Sequence, residues 1–118
     1  MGVLMKQTGK LDYLEMPAVH GTLDRVKAFY SAAFSWSFTD YGPTYSAFDE
    51  GLEGGFQADS GEVSAKPLPV LFSEDLEGTL AAVEAAGGTI ARPIFEFPGG
   101  RRFHFIDPAG NELAVWGE

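Results

Sequence analysis

The sequence contains no cysteine. That removes disulfides, thiolate metal sites and a cysteine nucleophile, and it leaves the redox compartment unmarked. Histidine is nearly as scarce, with only His20 and His104, so a transition-metal centre built on several imidazoles is not available. Positive charge is also thin: 8 Lys and Arg stand against 17 Asp and Glu, for a formal charge of −9. The basic residues are scattered apart from Arg101 and Arg102. Nucleic-acid binding needs a clustered positive surface, so no nucleic-acid partner is expected, and an anionic membrane surface is disfavoured for the same reason. Long hydrophobic runs are missing too. Val3 to Met5 is far short of a signal-peptide core and nothing approaches a membrane span, which makes a cytoplasmic location the expectation. No glycine-rich phosphate loop joins a strand to a helix, and no nucleophile elbow is present.

What is present is apolar and aromatic. Within 118 residues, 45% are hydrophobic, including ten Phe, four Tyr and two Trp. This suits one domain, residues 1–118, with aromatic side chains left over for a pocket.

Residues Leu11 to Met16 partly alternate and stop at Pro17, which reads as a strand. The ten residues before them read as a loose leader or a short extra strand. Thr22 is placed to cap a helix whose face is Leu23, Val26, Phe29, Tyr30 and Ala33. With Phe34, the aromatics of this helix are expected in the core. Three short strands follow, Trp36 to Asp40, Tyr45 to Asp49 and Gly54 to Ala58, separated by Gly42-Pro43 and Glu50-Gly51. Module one therefore spans about 11–58, and the polar stretch 59–66 reads as a linker. Module two, about 67–117, repeats the order. A strand at Leu68 to Phe72 leads to a helix capped by Asp75 and stopped by Gly87-Gly88. Strands at Thr89 to Phe97, Arg102 to Ile106 and Glu112 to Trp116 complete it. The class is α+β. Neither βαβββ unit can bury its helix and sheet alone, so the two are expected to pair into one curved mixed sheet.

The doublet, with the segments AFYSAAFSW at 28–36, AAVEAAGGTI at 81–90 and FPGGRRFHFIDPAGNELAVW at 97–116, resembles the glyoxalase/bleomycin-resistance/extradiol-dioxygenase group, the vicinal oxygen chelate superfamily. The resemblance covers about residues 11–117 and rests most on the DPAGN turn entering the last strand. It departs at Ser35, where relatives carry glycine, and in a longer loop at Ala18 to Gly21. The resemblance implies a small molecule bound in the concave face of the sheet, lactoylglutathione lyase-like or dioxygenase-like chemistry as the family's options, and a homodimer. It also implies metal ligands on the first and last strand of each module, which map to Tyr13, Gly55, Leu68 and Ala114. Three of these offer no side-chain donor, so no metal and no cofactor is expected.

Alternation then says what else faces the cup. Tyr13 brings Glu15, Ala114 brings Glu112 and Trp116, and Gly55 brings Glu53 and Gln57. Glu15 and Glu112 are the expected catalytic carboxylates. Tyr13, Trp116, His104 and Arg102 are the expected substrate contacts, with Tyr13, Glu15, Glu112 and Trp116 on one concave surface. Solvation after a turn competes with function for Glu53 and Glu112, a structural role competes for His104, and His20 reads as exposed. Arg101 and Arg102 could clamp an anion or sit at a hairpin rim. Gly54-Gly55 and Gly99-Gly100 read as bulge or turn positions. An alternative function is sequestration of a drug or metabolite without turnover, for which the acidic surface suits a cationic compound; a further alternative is an interaction module without ligand.

Overall fold

A computed structural model describes residues 6–19, 21–59, 61, 62 and 65–118. Expectations for His20, for residues 1–5 and for linker positions 60, 63 and 64 lie outside the described residues. The chain divides into two compact units, one of Tyr13–Leu68 and one of Pro69–Glu118 with the N-terminal residues up to Asp12.

The first unit holds most of β1 (Leu11–Pro17), helix α1 (Leu23–Phe34), β2 (Thr39–Asp40), β3 (Tyr45–Asp49) and β4 (Glu53–Gln57). The strand order is β2-β3-β4-β1, antiparallel except for the β4–β1 pair. Leu23 on α1 packs with Ala18, Phe48 and Phe56, and Met16, Val26, Tyr30, Trp36 and Phe38 close around them. Even-numbered residues of β3 and β4 therefore face the helix and odd-numbered residues face away.

Three expectations change here. The strand expected at Trp36 to Asp40 shrinks to its last two residues, because the indole of Trp36 turns into the core, stacked on Tyr30 at 4.6 Å and packed near Phe48 at 4.8 Å. Phe29 and Phe34, expected in the core, are 58% and 62% exposed; the buried stripe of α1 runs through Leu23, Val26 and Tyr30, and these two rings lie on its flank. Gly54 and Gly55 are neither bulge nor turn. Both sit in regular register, opposite Leu14 and Glu15 on β1 and opposite Phe48 and Ala47 on β3. A Cβ at Gly54 would strike the Phe48 ring, and one at Gly55 would strike the hydroxyls of Tyr13 and Tyr45, so glycine is set by close approach on both faces.

The second unit contains β5 (Leu68–Phe72), helix α2 (Leu76–Ala85), β6 (Thr89–Phe97), β7 (Gly100–Ile106) and β8 (Glu112–Gly117), ordered β5-β8-β7-β6. Asp75 caps α2 as expected, accepting from the Gly78 N–H at 3.0 Å. Leu76, Phe103 and Val115 form the core, with Leu80 and Val83 from α2 and Ile90, Ile94 and Phe105 from the sheet. Pro93 lies in β6 within the register irregularity between Arg92 and Phe95, on the outer strand of this unit, where a missing N–H costs no ladder bond. Just ahead of β1, Gly9 and Lys10 are tied down: Gly9 N–H donates to the Phe72 carbonyl and Phe72 N–H to the Lys10 carbonyl, at 2.9 and 3.1 Å. The α+β reading with two βαβββ modules holds.

Helix α1 ends with the Ser35 N–H on the Ser31 carbonyl and the Trp36 N–H on the Tyr30 carbonyl, and Ser35 itself is left-handed at φ 61°. A side chain in that conformation costs roughly 1–2 kcal/mol, part of which glycine returns through its freer unfolded state. Ser35→Gly is expected to stabilise the protein by about 0.5–1 kcal/mol in urea unfolding; a destabilised variant contradicts the cap geometry.

Candidate functional site

In the second unit, Phe103 and Val115 point to α2, so Arg102, His104, Glu112, Ala114 and Trp116 share the other face. His104 Nδ1 lies 2.8 Å from Glu112 Oε2. His104 is 5% exposed and Arg102 8%, while Glu112 is at the surface. Phe95 lies beside both, 5.7 Å from the imidazole and 5.4 Å from the Arg102 guanidinium. Trp116 Nε1–H donates to Asp12 Oδ2 at 2.8 Å, and Lys6 Nζ donates to the other oxygen of Asp12 at 2.6 Å. Among the described residues His104 Nε2 has no hydrogen-bond partner. Of the expected site residues, Arg102, His104, Glu112 and Trp116 thus share one face, with Phe95 against Arg102 and His104.

The anion clamp fails on geometry. Arg101 faces the opposite way from Arg102 and grips Glu77 at the start of α2, with Nη1 at 2.6 Å from Oε2.

In the first unit, Tyr13 and Glu15 lie on the face turned away from α1, together with Tyr45, Ala47, Glu53 and Gly55. The Tyr13 and Tyr45 hydroxyls bond to each other directly above Gly55. Burial holds the Tyr13 pKa above its ordinary 10.0, and the negative charges of Glu15 and Glu53 push it further the same way, against the bond from Tyr45. Tyr13 therefore stays a neutral hydroxyl. Beside it opens a cleft of about 480 Å³ whose walls include Tyr13, Phe38, Tyr41, Tyr45, Ala47 and Glu53. Glu15 is 5% exposed and is not part of that wall. Sequence reading missed Phe38, Tyr41 and Tyr45. Tyr45 was within reach of it, since alternation from Ala47, the partner of Gly55, leads straight to it.

The positions the fold would use for a metal do not fit one. Gly55, Leu68 and Ala114 carry no donor, and Leu68 and Ala114 are buried. Among the described residues, no three His, Cys, Asp or Glu side chains converge.

With this geometry in hand, residues 10–115 match the Glyoxalase/Bleomycin resistance protein/Dioxygenase superfamily, and the chain belongs to it. No curated protein matches the sequence. Similar solved structures carry different names. A methylmalonyl-CoA epimerase from Mycobacterium tuberculosis is 11% identical, with 98% of this chain and 91% of that one covered, at TM-score 0.70. A structure described as an NAD-dependent benzaldehyde dehydrogenase from Legionella pneumophila is 14% identical, over 87% and 96%, also at 0.70. A Mn(II)-bound glyoxalase from Novosphingobium aromaticivorans is 19% identical, over 95% of this chain and 40% of that one, at 0.64. At such identities the likeness is one of fold.

The His104 pair yields a pH signature. Burial lowers the His104 pKa below its ordinary 6.5, aided by Arg102 and Arg92 and opposed by Glu112. Below 6.5 the unfolded chain takes up a proton that the folded protein resists, so stability falls as pH drops from 6.5 towards the folded pKa. Urea unfolding of the protein is expected to show this loss and of His104→Asn to lack it; the same slope in both would place the titration elsewhere.

Proposed function

We propose that this chain binds a small molecule in the cleft of its first module, and does so without the divalent metal that the superfamily's fold can hold. The carrying observation is that cleft, about 480 Å³ with Tyr13 in its wall, a size that fits small ligands. The lack of donors at Gly55, Leu68 and Ala114 supports the metal-free part. In this reading Tyr13 is the polar contact, its neutral hydroxyl able to donate or accept. Glu15, on the Tyr13 face of the same module, is the carboxylate proposed for proton transfer in an active enzyme; Glu112, Trp116, His104 and Arg102 share a face of the second unit.

Sequestration without turnover is the second reading, and one observation favours it. Glu15, the carboxylate best placed by alternation to act as a base, is buried and outside the cleft wall, and a general base must reach the proton it removes.

The proposal includes a homodimer, since β2 and β6 leave outer strand edges and α1 exposes Phe29 and Phe34. Light scattering should give twice the 12.7 kDa chain mass; the single-chain mass at micromolar concentration contradicts it.

The test of the main reading is elemental analysis joined to a thermal-shift metabolite screen of chelator-treated protein. Substoichiometric Zn, Ni, Fe and Mn are expected, with at least one metabolite still raising the melting temperature. Near one equivalent of metal surviving dialysis and required for binding or turnover would contradict the metal-free reading.

A further inference from the structure

The cleft of the first module is chemically one-sided. Tyr13, Phe38, Tyr41 and Tyr45 give it aromatic walls, Asp49, Glu50 and Glu53 line it as well, and among the described residues no Lys, Arg or His does. Ring faces carry negative potential and carboxylates carry full negative charge, so both parts of the wall attract the same kind of ligand. Asp49 and Glu53 also stand directly opposite each other in the β3–β4 pair. A cation lying towards both meets two carboxylates from neighbouring strands. Glu50 accepts the Ser37 N–H at 3.0 Å. An anionic ligand would meet this field and the −9 charge of the whole chain.

We propose that this cleft takes a flat organic cation, an aromatic ring system carrying a quaternary or delocalised positive charge. The proposal rests on the small-molecule reading above and names its ligand class. The ring packs against the tyrosines and Phe38, and the charge lies towards Asp49 and Glu53. A volume of about 480 Å³ accommodates a bicyclic or tricyclic ring.

Three probes sharing one ring isolate the sign of the charge: N-methylquinolinium, quinoline, which is neutral near physiological pH, and quinoline-4-carboxylate. Each is titrated into the full chain by calorimetry and by amide chemical shifts. The cation is expected to bind about tenfold more tightly than quinoline, with shifts concentrated at residues 37–54 and Tyr13, and to weaken as salt is added. The carboxylate is expected to give no saturable binding. Asp49→Asn and Glu53→Gln should each weaken the cation by about threefold or more and weaken it more than they weaken quinoline. Equal or tighter binding of quinoline or the carboxylate at the same amides overturns the cation assignment while the small-molecule reading stands. Binding of the cation at other residues, or of none of the three probes, also overturns the assignment, and the metabolite screen then decides the broader reading on its own.

Discussion

The first module is organised around two adjacent residues that have no side chain. β4 runs between β1 and β3, and at Gly54 and Gly55 it lets groups from both neighbours close over it. On the helix side Phe48 settles against Gly54, allowing the aromatic core of Tyr30, Trp36, Phe48 and Phe56 to pack. On the other side the Tyr13 and Tyr45 hydroxyls meet above Gly55. A carboxylate at position 55, the kind of residue a metal-using relative would need there, would project into the space these hydroxyls occupy. The tyrosine pair thus occupies the space that a side chain at position 55 would need.

The second module treats its polar groups differently. Arg102 and His104 stand on the same sheet face as Trp116 but are covered, with Phe95 against both. A histidine held neutral by burial and oriented by Glu112 stabilises the sheet above the pH where it would charge. The two modules have the same order of elements, and the cleft with aromatic and acidic walls lies in the first.

Much of the fold could be read from the chain because its punctuation is local. Asp75, Gly42-Pro43 and the DPAGN turn act on their immediate neighbours, and helix and strand periods separate cleanly around them. Strand alternation also placed Tyr13 with Glu15, and Glu112 with Trp116, on shared faces within their modules. What escaped depends on contacts distant in sequence. Trp36 is drawn from a strand into the core by Tyr30 and Phe48. Gly54 and Gly55 look like turn residues until Phe48, Tyr13 and Tyr45 are seen against them. Phe29 and Phe34 fit a helical face that the sheet does not cover. The bond from Trp116 to Asp12 joins opposite ends of the chain, and no local pattern announces it.

The most direct test of the central claim is the affinity of Gly55→Ala for N-methylquinolinium. The added methyl meets the Tyr13 hydroxyl and the hydroxyl and Cζ of Tyr45, all side-chain atoms, so the variant is expected to fold at a cost of about 1–3 kcal/mol while its cleft wall is displaced. Affinity lower by about tenfold or more in a folded variant is the predicted result. Unchanged affinity would mean that the tyrosine pair above Gly55 is not where the ligand sits.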